Sequence, residues 1–155
     1  MKKILVEFMK AYAIGFVIAL ILCFIIENAR ADDETIWLTT GEWSRHTNED
    51  AHKYRQNNTG IGLQADLNSD TSLVVGWYNN SIYHETVYMG ITYTPWHVGG
   101  AKFGGMYAMV TGYNRYFPAV PIASLCGSYE YGRAGVNIIW LPSVVVAVQL
   151  KVKIF

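Results

Sequence analysis

The sequence predicts an all-β fold, an eight-stranded antiparallel transmembrane β-barrel that follows a cleaved signal peptide. Three observations carry this expectation. The first thirty-one residues belong to a different class from the rest; the remainder is rich in apolar and aromatic residues that recur with period two; and polar or glycine-containing breaks divide it into eight such segments. Eight strands in about 124 residues leave about fifteen positions for each strand and its connection, room for membrane-length strands of ~9–11 residues. Such strands must close into a barrel, because an open edge leaves backbone groups unsatisfied in lipid.

Residues 1–31 read as an export signal and 32–155 as the barrel domain. Lys2 and Lys3 supply a positive start, Ala11 to Ile26 an apolar core, and Ala29-Arg30-Ala31 a small-x-small cleavage site before Asp32. An uncleaved anchor is the alternative, but the apolar run falls short of the ~20 residues that a spanning helix needs. Ile-Leu-Cys at Cys23 makes a poor lipobox, since a large residue precedes the cysteine. After cleavage only Cys126 remains, so no internal disulfide forms despite export. The formal net charge is zero and no basic block occurs, so nothing attracts nucleic acid.

In chain order, Trp37 to Arg45 sets Trp37, Thr39, Gly41, Trp43 and Arg45 against Leu38, Thr40, Glu42, Ser44 and His46. With the tryptophan face outward, Trp37 and Trp43 fit aromatic girdles at the two membrane interfaces, and Glu42 and His46 point inward. Thr59 to Asp66 sets Ile61, Leu63 and Ala65 against Gly60, Gly62, Gln64 and Asp66. A soluble sandwich also alternates, but glycine, amide and carboxylate cannot form a dry core and can line a polar or narrow lumen. A turn at 67–70 leads to Ser72–Tyr78, with Leu73, Val75 and Trp77 on the apolar face.

Val87, Met89, Ile91 and Tyr93 then alternate with Tyr88, Gly90, Thr92 and Thr94; Pro95 is expected to end this strand, and Trp96 to Gly100 to turn. Lys102 to Thr111 is apolar on both faces, so its orientation stays open. Val120 to Tyr131, Val136 to Leu141 and Val144 to Phe155 complete the eight. In the last, Val146, Val148, Leu150, Val152 and Ile154 form the lipid face opposite Gln149, Lys151 and Lys153, while Phe155 falls on the lysine parity, a slip that a bulge or frayed end would absorb.

With both termini on the periplasmic side, the connections after strands one, three, five and seven face outward. The polar run from Trp43 to Leu63 carries His46 at its lip, and Tyr78-Asn79-Asn80-Ser81 forms a second lip, so a base and a hydroxyl share one rim.

Trp43-x-x-His46, Tyr54, Gly60-x-Gly62-Leu63, Asn80-Ser81 with Gly90 beyond, Val110-Thr111 and Pro118-x-x-Pro121-Ile122-Ala123-Ser124 follow an order that resembles the lipid A palmitoyltransferase family of eight-stranded outer-membrane barrels. The likeness covers most of the chain from Trp37 to Phe155. It implies transfer of an acyl chain from phospholipid to lipid A or a related acceptor, with phospholipid, lipid A and the outer membrane as partners, a monomer, and no cofactor or metal. By position, His46 corresponds to the family's histidine, Ser81 to its serine, and Asn80 stands where the family has aspartate. Gly90 falls in the region of the acyl pocket, Thr92 corresponds to the glycine that floors it, and Pro118 and Pro121 match the prolines that open the wall to lipid. The chain departs from the family in Asn80, in Thr92, and in lacking the amphipathic helix before the barrel.

The residues carry this chemistry on their own terms too. A serine hydroxyl is a poor nucleophile until a base takes its proton, and histidine, with a reference pKa of ~6.5, suits that task at neutral pH. Rim residues that only bond loops or headgroups are the plain alternative. In a serine-protease triad, exchanging the orienting carboxylate for its amide lowers kcat by ~10⁴, so an Asn80 site needs Glu85 or Glu49 as a substitute acid, unless Asn80 supports an oxyanion or simply forms a turn. Glu49, Asp50 and His52 beside His46 lack a metal-ligand spacing. Lys53, Arg55 and Arg115 suit lipopolysaccharide phosphates. The expectation is therefore a lipid acyltransferase or phospholipase; the alternatives are a non-catalytic outer-membrane barrel that binds lipid or a surface partner, and a lipocalin-like secreted binder.

Overall fold

A computed structural model describes residues 35–47, 51–114 and 116–155. The expected signal segment 1–31, Glu49, Asp50 and Arg115 lie outside them. The strands are β1 (Ile36–His46), β2 (Asn57–Asp66), β3 (Thr71–Asn79), β4 (Glu85–Val98), β5 (Ala101–Thr111), β6 (Ala119–Tyr131), β7 (Ala134–Leu141) and β8 (Val145–Lys153). Each pairs antiparallel with the next, and β1 also pairs with β8, closing an eight-stranded barrel in sequence order. Among the described residues the one helical element is a single turn at Ala51–Lys53.

The connections sort to two ends. Residues 67–70, 99–100 and 132–133 make the turn end; 47–56, 80–84, 112–118 and 142–144 make the loop end. The tight turns follow from local chemistry. Gly99 and Gly132 both hold φ of 59°, a left-handed conformation that glycine adopts without a Cβ penalty. Asn68 Oδ1 accepts from the Asp70 and Thr71 amides at 2.9 Å each, an Asx-type turn.

Period-two alternation sets the two faces. Leu38, Ile61, Met89, Ile91, Tyr107, Leu150 and Val152 are exposed on the outer wall, whereas Thr39, Gln64, Ser72, Thr86, Gln149 and Lys151 are buried inside. This wall is apolar outside and polar inside, the inverse of a soluble core. It also orients β5: Phe103, Tyr107 and Met109 face out, while Ala108 and Val110 are buried. β8 keeps its expected faces, and Phe155 lies beyond the strand's last residue, Lys153, so its parity constrains nothing.

Two sequence expectations are corrected. Trp37 and Trp43 do not share a face. The register of β1 shifts between Thr40 and Glu42 against β2, and between Thr39 and Glu42 against β8. A bulge therefore flips parity at Gly41, leaving Trp37 2% exposed inside the barrel and Trp43 50% exposed outside. Nor does Pro95 end its strand, since β4 runs to Val98 and only Gly99–Gly100 turn. Pairing with β3 stops at Thr71–Tyr93, and the β4–β5 register shifts between Tyr93 and Trp96. The missing amide of Pro95 therefore breaks no ladder bond.

The turn half of the lumen is filled by a bonded polar cluster. Asp66 accepts from Trp37 Nε1 (2.8 Å), Gln64 Nε2 (2.8 Å) and Ser72 Oγ (2.7 Å). Glu130 takes Lys151 Nζ at 2.7 Å and Lys102 Nζ at 3.4 Å. Lys151 also lies 4.5 Å over the Trp37 ring. Asn137 bridges Gln64 and Gln149. Every carboxylate in this floor has a partner, as burial of charge requires.

Candidate functional site

The loop half of the lumen is built differently, and the Gly41 bulge decides its contents. Only glycine fits there, because a Cβ on Gly41 would overlap the Asn58 carbonyl and the Gly60 nitrogen of β2. After the bulge Glu42, Ser44 and His46 turn inward, opposite Gln149, Ala147 and Val145 of β8. Asn58 donates to Ser44 Oγ at 3.0 Å and pins this end of β1 to β2. The glycines of the neighbouring strands make space for an aromatic ring: a Cβ on Gly62 or Gly76 would strike the Tyr88 phenol.

His46 ends β1, and its ring stacks on Tyr54, with centroids 4.3 Å apart and an 18° interplanar angle. Among the described residues its buried Nδ1 has no hydrogen-bond partner, a ring nitrogen able to take a proton. Ser81 lies on the neighbouring connection and is 6% exposed. The two connections are tied together, since the Arg55 amide donates to the Ser81 carbonyl at 2.8 Å. The Arg55 guanidinium caps the Tyr83 ring at 4.7 Å. Among the described residues no hydrogen bond joins His46 to Ser81. The Ser81 side chain instead neighbours the Tyr113 hydroxyl, which also sits 2.9 Å from Tyr78 Oη. Burial raises the Tyr113 pKa above its ordinary value, so this phenol stays protonated.

Asn80 holds the loops. Its Nδ2 donates to Thr86 Oγ1 (2.9 Å) and the Gly112 carbonyl (3.2 Å), and its Oδ1 accepts from the Ile82 and His84 amides (3.0 and 2.9 Å). Both amide hydrogens and both acceptor sites are thereby used. Asn80 bears on Ser81 through the backbone that it fixes.

Below the rim lies a narrow internal cavity. Glu42, Tyr78 and Tyr88 line it towards the loops, Val74, Met106, Ala108, Val110 and Ile122 line its apolar middle, and Thr92 and Cys126 face it as well. Gly90 lies between Val74 and Ala108 in the β3–β4–β5 register. A Cβ there would meet Ala108 and the Tyr107 carbonyl, so glycine permits this close wall. Pro118 is exposed in the 112–118 connection, and Pro121 is exposed on β6 opposite Met109. The β6–β7 ladder begins only at Leu125–Trp140. Ala119 to Ser124 therefore have no partner on the β7 side, because β6 has 13 residues and β7 only 8. This leaves the β6 backbone without a β7 ladder beside Ile122, which lines the cavity.

Sequence reasoning missed Tyr113, whose only signal is its place in an aromatic loop, and gave Tyr54 no role beside the imidazole. Glu42 was placed inward without a task. No protein-family model matches the chain, and no curated protein matches it.

Proposed function

We propose that this chain is an outer-membrane barrel that admits a lipid acyl chain sideways into its lumen and transfers it from a phospholipid to lipid A or a related acceptor. The observation that carries the reading is the unpaired loop end of β6, which opens the wall beside an apolar cavity. The apolar outer wall supports placement in a bilayer. By the resemblance to the lipid A palmitoyltransferases, the loop end would face outside the cell.

In this reading His46 Nδ1 takes the Ser81 hydroxyl proton, the serine oxygen adds to the acyl ester carbonyl, and the lyso-lipid leaves with that proton; the acceptor hydroxyl then reverses the sequence. The transfer requires His46 and Ser81 within hydrogen-bond reach. Tyr113 is placed to stabilise the developing charge beside Ser81. A second reading, a barrel that binds lipid without chemistry, is favoured by the missing His46–Ser81 bond and the fully engaged Asn80.

Mass analysis of lipid A and phospholipids separates them, using cells that express the wild type, His46→Ala or Ser81→Ala, after outer-membrane fractionation. Transfer predicts added acyl mass on the acceptor, or lysophospholipid, with a loss of ~10²-fold or more in both variants. The binding reading predicts no new mass from any of the three. Recovery in the soluble periplasm contradicts both.

A further inference from the structure

Glu42 is the exception to the charge pairing of the lumen. Asp66 and Glu130 are fully engaged in the floor, yet among the described residues the Glu42 carboxyl has no hydrogen bond and no ion pair. It is inside only because the Gly41 bulge turns it there; unbroken alternation from Trp37 would put it on the outer wall. It faces the cavity beside Tyr78 and Tyr88, two phenols close enough to interact with its charge. A polar group held in such a place is costly unless something bonds it; the other charged and amide groups that line the cavity, Gln64, Lys102, Glu130, Asn137 and Gln149, are bonded among themselves, and its middle is apolar.

We infer that Glu42 and its two tyrosines select an aliphatic chain bearing a mid-chain hydroxyl. The inference rests on the lumen taking a lipid chain and names which chain. A hydroxyl is the matching group because it donates to the carboxyl oxygen and accepts from a phenol O–H at once, so it satisfies both kinds of wall residue. Its position along the chain follows from the strand. Glu42 lies four residues below His46, about 13 Å along β1, or roughly ten methylene groups of an extended chain whose ester sits at the rim. A hydroxyl next to the ester lies too high to reach it.

Cys126 lines the same cavity and reports its occupancy. The folded barrel, in short-chain phospholipid vesicles, is titrated with stearoyl lysophospholipid or with its mid-chain-hydroxylated form, and alkylation of Cys126 by N-ethylmaleimide is read by peptide mass. The hydroxylated chain is expected to protect at about tenfold lower concentration, the value of one buried hydrogen bond. Glu42→Leu is expected to abolish the preference while stearoyl protection persists; Glu42→Gln, which keeps the shape and folds if the leucine variant does not, is expected to reduce it. Equal protection in the wild type, a preference that survives both variants, or stronger protection by the same chain carrying an amine would each overturn the inference. So would a chain hydroxylated beside the ester performing as well. Protection by neither lipid overturns the inference together with the lumen reading. A preference without any acyl transfer in cells leaves the inference standing and removes only the chemistry proposed above.

Discussion

The two halves of the lumen are made by the same eight strands and differ in what their polar groups do. At the turn end Asp66 holds three donors, Glu130 two lysines, and Asn137 links two glutamines. At the loop end, among the described residues, Glu42 has no partner, His46 Nδ1 and Ser124 Oγ are buried and unbonded, and β6 beyond Leu125 has no β7 ladder. Saturated polar networks rigidify a structure, and unsatisfied ones mark places kept for something else. The comparison therefore separates a floor whose charges are paired from a loop-end chamber that keeps polar groups unpaired among the described residues.

Substitutions should break the two halves in different ways. The largest loss of stability is expected from Glu130→Leu, which leaves Lys151, 1% exposed, as an uncompensated buried cation. Unfolding in urea should show a loss of about 3–5 kcal/mol. Asn80→Ala comes next. It removes four hydrogen bonds around a side chain that is 0% exposed, and a loss of about 2–3 kcal/mol is expected by the same measurement, with Ser81→Ala much milder. Gly41→Ala should cost about 1–3 kcal/mol, because its methyl meets the β2 backbone. The smallest effect is expected from Asp70→Asn at the turn end, where Asp70 meets His97 at 3.2 Å and both are more than a third exposed. A change under about 1 kcal/mol fits a solvated pair. A loss at Asp70 as large as that at Glu130 would erase the distinction between network and surface.

The fold was legible because the barrel strands write their faces into the chain: Leu150, Val152 and Ile154 against Gln149, Lys151 and Lys153 read the same in sequence and structure. What misled was irregularity within a strand. Trp37 and Trp43 share parity in sequence, and only the glycine between them signals the bulge that separates their faces. Pro95 looked like a terminus because a ladder needs its amide, but the ladder with β3 had already ended. The lip residues His46 and Ser81 do lie on linked connections at one end. That they are not bonded, and that Asn80 is spent on the loops, depends on backbone paths through 51–56 and 80–84, which no periodicity describes.

The central claim is that the loop-end chamber holds a lipid chain and the floor does not. Barrel purified from outer membranes, as wild type and as Ala108→Trp, tests it by quantitative mass spectrometry of the lipid retained per folded chain. Ala108 lines the apolar middle of the cavity opposite Ile122, so an indole there should fill the chamber while the Asp66 and Glu130 networks stay intact. The account predicts about one acyl lipid per wild-type barrel and a loss of most of it in the variant at unchanged folding. Equal lipid in both, or a wild-type protein found only in the soluble fraction, would contradict it.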